Sequence, residues 1–342
     1  MKSVTVHAAK DLRIEDHPEP QHGQGEVLIE METGGICGSD LHYYNHGGFG
    51  PVRLRQPMIL GHEVAGRVAA LGPEVAGLEV GQRVAVSPSR PCGACAFCAE
   101  GRQNHCLKMR FYGSAMPFPH IQGAFRQRLV ADAGQCVPAD GLSAGEAAMA
   151  EPLSVVLHAA RQAGSLAGKR VLVTGCGPIG LLAVLVARAF GAVEIVATDI
   201  ADFPLRKARS VGADGTVNVA ETPDGLAPFT ADKGRFGVLF ECSGVASALA
   251  AAIPAMRPGG VIVQLGLGGD MTLPVQAMTA KELALKGSFR FHHEFSSAVE
   301  MMQAGRLDVT PLITQTLPFE DVVAAFDLAS DRSQAIKVQV AF

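Results

Sequence analysis

The chain has 342 residues, of which 48% are hydrophobic and 18% charged, and its formal net charge is -4. This length exceeds one typical domain and suggests two, each able to bury a core. The small negative charge argues against binding to nucleic acid or to an anionic membrane surface, because both require clustered Lys and Arg.

The N-terminal third has the pattern of short strands. The segments EVLIEME, HEVAGRVAAL and QRVAVSP alternate or run apolar between Gly and Pro turns, which predicts a small β-rich domain. The first residues, MKSVTVHAAKDLRIED, contain no long apolar segment, and the longest apolar run, PIGLLAVLVA, is too short to cross a membrane. We therefore expect a cytoplasmic protein.

The segment PCGACAFCAEGRQNHC places Cys92, Cys95, Cys98 and Cys106 within fifteen residues. A disulfide knot is disfavoured, because a cytoplasmic chain works in a reducing compartment. A redox CxxC needs only two thiols and leaves the other two unexplained. Four thiols at this spacing match a structural zinc site, whose closed tetrahedron leaves no position for a substrate. The cluster is thus predicted to hold a long loop together, and the chemistry is expected elsewhere.

The pattern changes near Ala147. AAMAEPLSVVLHAARQAG has apolar residues at helical spacing, and apolar strands then alternate with helical segments such as GLLAVLVARAF and FPLRKARSVG. The strands are RVLVTG, EIVATD, GTVNV, GVLFECSG, GVIVQLG and LALKGSF. Such continuous apolar strands predict a parallel sheet covered on both faces. The residues from FHHEFSSAVEMMQAG to AIKVQVAF are too few for a domain and are predicted to return to the first one.

A GxGxxG motif, formed by Gly175, Gly177 and Gly180, follows the strand RVLVTG and opens a helix. In this context the first glycine permits a tight turn, the second lets the backbone approach a pyrophosphate, and the third lets the helix pack on the strand. Pro178 and Ile179 complete the helix start, where a phosphate is favoured. The motif predicts a dinucleotide site.

Asp199 ends the next strand, 24 residues after Gly175. A carboxylate there accepts hydrogen bonds from ribose hydroxyls and repels a 2'-phosphate. Arg206 is a further candidate cofactor contact, but it and Lys207 lie a helix turn or more beyond Asp199. The pattern therefore favours NAD and leaves NADP as the alternative.

Four separated residues are candidates for a second metal site. Cys37 lies in GGICGSDLHYY, His62 and Glu63 in LGHEVAG, and Glu151 in AEPLSV. Each alone has an ordinary structural explanation, since lone cysteines are commonly buried in cores. Together with the four-cysteine segment and the nucleotide motif, they indicate a catalytic metal centre.

With these motifs the chain resembles the zinc-containing medium-chain alcohol and polyol dehydrogenases from end to end. The resemblance implies a GroES-like β-barrel catalytic domain for residues 1–150 and 291–342 and an α/β Rossmann domain for residues 151–290. It also implies a catalytic zinc ion held by Cys37, His62 and a carboxylate. Glu63 or Glu151 is then the third protein ligand, and the other contacts the bound water.

The same resemblance assigns roles around this ion. Zinc keeps one position open, where a bound alcohol becomes more acidic and can lose hydride to the nicotinamide. Ser39 and His42 are implied to relay the proton to solvent, Asp40 to orient its neighbours, and Tyr43 to line the pocket. Glu151, where ethanol-type enzymes have a cysteine, points toward the sorbitol and threonine dehydrogenases.

Three segments, GGICGSDLHYY, MRFYGSAMPFPH and KGSFRFHHEF, narrow the resemblance to family members that oxidise a sugar acid. The carboxylate of such a substrate calls for a cation, which an arginine matches with two hydrogen bonds. The candidates are Arg110 and Arg290, of which Arg290 matches a position that contacts polyol hydroxyls in the wider family. The alternatives for this role are His120, His292 and His293.

Other hypotheses remain open at this point. A sorbitol- or threonine-type dehydrogenase would use the same zinc and NAD. A zinc-dependent nucleic-acid-binding protein lacks the basic surface that this function needs, and an inactive relative would be expected to lose Cys37 or His62. We further expect a homodimer or homotetramer, with GVIVQLG and the segment after it supplying a sheet edge.

Overall fold

The computed structural model describes residues 1–342, which divide into two compact units. Unit 1 contains Met1–Glu151, His292–Asp331 and Lys337–Phe342, and unit 2 contains Pro152–Phe291 and Arg332–Ile336. The domain limits expected from the sequence differ from this division by one residue at each main boundary and in the segment 332–336. No helix combines the length and the apolar character that crossing a bilayer requires.

The first part of unit 1 consists mainly of short strands, as the apolar alternation predicts. Side chains such as Val4, Ile29 and Val84 are fully buried in this unit. The strands are Lys2–Ala8 (β1), Asp11–Asp16 (β2), Glu26–Gly35 (β3), Gly48–Phe49 (β4), Val52–Arg53 (β5), Met58–Ile59 (β6), Glu63–Leu71 (β7), Arg83–Val86 (β8), Ser89–Arg90 (β9), Arg110–Phe111 (β10), Arg128–Asp132 (β11) and Cys136–Pro138 (β12). The helices are Gly38–His46 (α1), Ala96–Ala99 (α2) and Ala144–Ala148 (α3).

Unit 2 alternates helices and strands, and each of the predicted apolar strands is present. The strands are Arg170–Thr174 (β13), Glu194–Asp199 (β14), Gly215–Asn218 (β15), Phe236–Glu241 (β16), Met256–Gln264 (β17) and Ala284–Gly287 (β18). The helices are Ala150–Ala163 (α4), whose first two residues belong to unit 1, Pro178–Ala189 (α5), Asp202–Ser210 (α6), Ala246–Ala252 (α7) and Val275–Ala280 (α8).

The strands of unit 2 form one parallel sheet in the order β15-β14-β13-β16-β17-β18. The chain starts in the middle at β13, moves to one edge, and then continues from β16 to the other. This is the doubly wound Rossmann order, in which ligands bind at the carboxyl ends of the strands where the direction reverses. The expectation that GVIVQLG forms a sheet edge is wrong, because this segment is β17 and lies between β16 and β18.

The remaining part of unit 1 comes from the last fifty residues of the chain. It contains Glu294–Gln303 (α9), Ile313–Pro318 (β19), Val322–Ser330 (α10) and Lys337–Ala341 (β20). Strand β20 pairs with β3 and so joins a seven-stranded sheet of order β12-β8-β7-β3-β20-β19, in which β11 also pairs with β3. A second sheet has the order β2-β1-β6. The pairing of β20 with β3 brings residues near 337 to the start of α1.

Candidate active site

Three potential metal ligands come together in unit 1. The ligand atoms of Cys37, His62 and Glu63 all lie within 4.8 Å of one another. Cys37 is the residue before α1, and Glu63 begins β7. Strands β3 and β7 pair antiparallel with Gly35 opposite Glu63, so the turn after β3 lies beside the start of β7. The register of one strand pair thus assembles the cluster.

The carboxylate of Glu63 has a closely fitted environment. A Cβ atom at Gly35 would overlap Glu63 Oε2, so only glycine leaves room for the carboxylate. Lys337 Nζ donates to both carboxylate oxygens, at 2.8 and 2.6 Å, and to the carbonyl of Ile36 at 3.0 Å. Although burial opposes its charge, the attraction of Glu63 raises the pKa of Lys337. Sequence analysis missed Lys337, whose one signal is a lysine inside the apolar strand AIKVQVAF.

We expect Lys337→Met to destabilise the metal-free protein by about 3–5 kcal/mol, because it leaves the buried Glu63 carboxylate without its cation. Urea unfolding after chelation measures this loss. The double variant Lys337→Met/Glu63→Gln should recover most of the stability, since it removes both charges. A single variant as stable as the wild type would contradict a charged pair at this position.

Asp40 supports the cluster from behind. Its fully buried carboxylate accepts hydrogen bonds from the backbone N–H groups of Cys37 at 3.0 Å and Gly61 at 3.1 Å. Its Oδ1 lies 3.7 Å from His62 Nδ1, a buried atom without a hydrogen-bond partner. Burial raises the pKa of Asp40. A carboxylate beside a histidine ligand commonly fixes the orientation of the ring, and these contacts fit the orienting role expected for Asp40.

The chemistry of the cluster fits a zinc ion. Burial, followed by the charge of Glu63, raises the pKa of the Cys37 thiol to about 12, and burial raises the pKa of Glu151 to about 8. Both shifts disfavour the charged forms when no cation is bound, and a bound cation would favour them again by compensating for the loss of hydration. Sulfur, nitrogen and carboxylate oxygen are the donors that zinc takes in catalytic sites. Glu151 is 5% exposed and interacts electrostatically with His62, Glu63 and Cys37.

The four-cysteine segment forms a second cluster in unit 1. All four sulfur atoms, those of Cys92, Cys95, Cys98 and Cys106, lie within 4.8 Å of one another, and none is in a disulfide. The backbone N–H of Cys92 donates to Cys106 Sγ at 3.2 Å. A backbone N–H from Leu107, with one from Cys98, lowers the pKa of Cys95 to about 6. Backbone donors stabilise the Cys95 thiolate, whereas burial raises the pKa of Cys98 to about 12. Four sulfur atoms at these separations fit a closed Cys₄ zinc site.

The proposed relay residues lie on α1. Ser39 is half-buried and His42 is exposed, and residues three apart on a helix are neighbours on one face. Tyr43, expected to line the pocket, is 2% exposed, and its hydroxyl accepts a hydrogen bond from the backbone N–H of Ala115 at 3.1 Å. Ser39 and His42 thus lie on one face of α1, and their role in proton transfer stays a prediction.

The two arginine candidates occupy different units. Arg110 is exposed on β10, opposite Arg90 of β9, and the ring of the next residue, Phe111, lies 5.5 Å from that of His62. Since successive strand residues point to opposite sides, Arg110 faces away from His62. Arg290 belongs to unit 2, has a φ of 55°, and lies 4.9 Å from the Phe289 ring centroid. Carboxylate binding by either arginine stays a prediction.

The histidine alternatives have local contacts of their own. His120 is buried, with Nε2 accepting from the backbone N–H of Arg55 at 2.9 Å and Nδ1 at 3.0 Å from the carbonyl of Pro117. The rings of His292 and His293 are 4.7 Å apart and line a cavity of about 310 Å³ in unit 1. Burial lowers the pKa of His292. Both ring nitrogens of His120 are thus already paired with backbone groups, those of Arg55 and Pro117.

The glycine motif lies at the carboxyl end of β13, in the central position of the unit 2 sheet. Gly175 has a φ of 84°, and a Cβ atom at Gly180 would overlap the Gly175 carbonyl. Gly177 precedes α5, and Pro178 is its first residue, followed by Ile179. These constraints are those that the motif imposes when a strand turns directly into a helix. They leave the N-terminus of α5 available to a phosphate.

Asp199 is held at the end of β14. Its carboxylate accepts hydrogen bonds from the backbone N–H groups of Cys176 at 2.7 Å, Ile200 at 2.7 Å and Ala201 at 3.1 Å. The bond from Cys176 ties the carboxylate directly to the glycine loop. Arg206 is exposed on α6, 5.9 Å from the Phe203 ring centroid. The structure thus brings Asp199 to the glycine motif.

Comparisons with known proteins agree with this architecture. Residues 23–141 match the alcohol dehydrogenase GroES-like domain, and residues 178–304 match the zinc-binding dehydrogenase domain. The chain is 41% identical to L-idonate 5-dehydrogenase (NAD(P)(+)) of Escherichia coli K12, over 100% of this chain and 98% of that one. It is 38% identical to bovine sorbitol dehydrogenase, over 99% and 95% of the two chains.

A solved structure of a relative has the same fold. The crystal structure of the Escherichia coli L-idonate 5-dehydrogenase superposes with a TM-score of 0.95 at 41% identity, over 100% of this chain and 98% of that chain. The chain belongs to the zinc-dependent medium-chain alcohol dehydrogenase family. The GroES-like and Rossmann folds expected from its motifs are confirmed.

Proposed function

We propose that the protein oxidises the 5-hydroxyl of L-idonate to 5-ketogluconate with NAD, reversibly. The near full-length likeness to the Escherichia coli L-idonate enzyme carries the substrate assignment. The segments GGICGSDLHYY, MRFYGSAMPFPH and KGSFRFHHEF support the same substrate class. In this reaction the alcohol carbon gives a hydride to NAD⁺, and the hydroxyl proton passes to solvent.

Two zinc ions are proposed for each chain. Cys37, His62 and Glu63 would hold the catalytic ion, with Glu151 as a further buried carboxylate that interacts with all three. The four-cysteine cluster would hold the structural ion. The assignment of Glu63 rests on its carboxylate lying within 4.8 Å of the other two ligand atoms. When bound, the catalytic ion acts as a Lewis acid that makes the substrate hydroxyl more acidic. Lys337 holds Glu63 through two hydrogen bonds, and Asp40, 3.7 Å from His62 Nδ1, is proposed to orient that ring.

The residues of α1 are proposed to move the proton. Ser39 Oγ would receive it from the substrate hydroxyl and pass it to the His42 ring, which is exposed. A histidine has a pKa suited to this exchange near neutral pH. Arg290 or Arg110 is proposed to bind the substrate carboxylate, and Tyr43 to support the pocket wall.

Initial rates of NADH formation with L-idonate, sorbitol and L-threonine, at equal enzyme and saturating NAD, test the substrate assignment. We expect a clear preference for L-idonate. Preference for sorbitol would leave the proposed mechanism and cofactor unchanged but would contradict a sugar-acid substrate. The similarity to bovine sorbitol dehydrogenase is consistent with that alternative. With L-idonate preferred, Arg110→Met and Arg290→Met, measured for KM, identify the arginine that binds the carboxylate.

NAD is the proposed cofactor, because the Asp199 carboxylate ends β14 and is bonded to the glycine loop, and an acidic residue after this motif commonly accepts hydrogen bonds from the ribose of NAD. We expect Asp199→Ala to raise the KM for NAD about 10- to 100-fold, the loss typical of hydrogen bonds to a charged group, and to lower the KM for NADP. Initial rates with both cofactors measure the change. Asp202→Ala is the matched control, since Asp202 lies three residues further on and instead accepts from Asn218 at 2.8 Å. Unchanged KM values in Asp199→Ala would show that Asp199 does not bind the ribose of the cofactor.

We further propose a homo-oligomer that pairs through β18. This strand ends the unit 2 sheet, all of its residues are exposed, and Leu285 and Phe289 are 41% and 43% exposed. Light scattering during gel filtration would show a dimer or tetramer, and Leu285→Lys would dissociate it. A cytoplasmic location is proposed because four thiol ligands persist best in a reducing compartment.

A further inference from the structure

Glu241 is a buried carboxylate in unit 2 to which neither the sequence nor the proposed reaction assigns a role. It ends β16 and is 0% exposed. Its two oxygens accept five hydrogen bonds from uncharged donors. These are Thr174 Oγ1 at 3.2 Å, Ser243 N at 3.0 Å, Ser243 Oγ, Gly244 N at 3.0 Å and Gln264 Nε2 at 2.6 Å. Burial of a carboxylate is costly, and this one is stabilised entirely by oriented dipoles.

The donors come from three adjacent strand ends. Thr174 of β13 and Gln264 of β17 are the register partners of Glu241 on either side. The reversal of chain direction lies between β13 and β16. Glu241 therefore lies at the carboxyl ends of the central strands, where a doubly wound fold binds its ligand. The carboxylate therefore links the ends of the three strands around the predicted dinucleotide site.

The principal element that Glu241 holds is the turn Ser243–Gly244, which supplies three of its five donors. This turn is packed against the glycine motif without spare space. A Cβ atom at Gly175 would lie 2.8 Å from Ser243 Cα and N, and one at Gly268 would overlap the Gly244 carbonyl. A displacement of the turn must therefore displace the Gly175 loop or the loop after β17.

We infer that Glu241 is a positioning residue for the dinucleotide: by fixing the turn Ser243–Gly244, it keeps the Gly175 loop in the conformation that receives the pyrophosphate. The inference rests on the proposed dinucleotide site. The position requires an acceptor only. A glutamine at residue 241 would have almost the same shape as the glutamate. Its NH₂ group, however, would face donors that need an acceptor, so some of the five hydrogen bonds would be lost.

NADH binding to the zinc-loaded protein without substrate tests this role. We expect Glu241→Gln to raise the Kd for NADH, measured by fluorescence titration, at least about 10-fold, as for lost hydrogen bonds to a charged group. The KM for NAD should rise with it, while kcat at saturating NAD changes less than twofold. Thr174→Val and Ser243→Ala, which each remove one donor and keep the carboxylate, should raise the Kd by smaller factors.

Glu194→Gln is the matched control, because it lies at the opposite end of the same sheet. Glu194 begins β14 and pairs with Arg170 at 3.1 Å and Arg235 at 2.7 Å. We expect it to lower thermal stability without changing the Kd for NADH. If Glu241→Gln lowers stability but keeps the Kd within twofold, Glu241 is structural only and the inference is wrong. Should Glu241→Gln fail to fold, unchanged Kd values in both single-donor variants would overturn it.

The two proposals fail in different ways. If the wild-type protein binds NADH but does not oxidise L-idonate, the substrate assignment fails and the role of Glu241 is still measurable. If the wild-type protein binds no NADH, the dinucleotide site itself is absent and both are lost.

Discussion

Cys37→Ser is expected to lower kcat/KM at least about 1000-fold, because a metal ion that acts as a Lewis acid lowers the activation barrier by several kcal/mol. A serine hydroxyl is a far weaker zinc ligand than a thiolate, so the ion held with His62 and Glu63 should be lost. Zinc content by mass spectrometry should fall from two ions per chain to one. NADH binding should be unchanged, since the glycine motif lies in unit 2.

Cys136→Ser provides the matched control for this variant. Cys136 is also a buried cysteine of unit 1, but its sulfur lies outside both clusters and donates to the carbonyl of Asp132, at 3.7 Å. It should keep both zinc ions and most of the activity. A Cys37→Ser protein that keeps two ions and the wild-type rate would show that the catalytic ion binds elsewhere.

Cys95→Ser should act on stability instead of chemistry. Loss of a structural metal is among the few single changes that cost more than about 4 kcal/mol, because the bound ion contributes directly to folding. Urea unfolding should show this loss together with one zinc ion per chain. The remaining folded protein should keep its KM values, since a closed Cys₄ site offers no position to substrate.

The comparison of the two cysteine variants separates the roles of the two clusters. Loss of activity without loss of stability is expected for Cys37→Ser, and the reverse for Cys95→Ser. If Cys95→Ser has the stability of the wild type and still binds two zinc ions, the four-cysteine segment is not a structural zinc site.

The features that the sequence predicts are those coded within a few consecutive residues. The glycines at 175, 177 and 180 carry their own explanation, because the turn, the phosphate approach and the helix packing are all local constraints. The apolar strands of unit 2 are equally local, because the central strands are buried on both faces and are therefore apolar along most of their length. These signals sufficed to predict the Rossmann domain.

What the sequence does not predict depends on contacts across long separations. Lys337 and Glu63 are 274 residues apart, and no sequence motif around either residue indicates that the two are paired. Likewise, the apolar pattern of β17 would be the same in a central strand and in an edge strand. The sequence therefore could not show that β17 lies between β16 and β18. Tyr43 shows a third limit: helical position alone does not reveal that its hydroxyl meets the backbone of Ala115.

The ion pair of Lys337 with Glu63 also constrains the order of events during synthesis. Lys337 reaches the carbonyl of Ile36 across 301 residues of sequence, and β20, which carries it, completes the sheet that contains β3. A nascent chain released from the ribosome as far as residue 330 can already contain all three ligands of the metal cluster, yet lacks the cation that neutralises one of them. The ligand cluster therefore acquires its final electrostatic environment only after residue 337 has been synthesised and β20 has paired with β3.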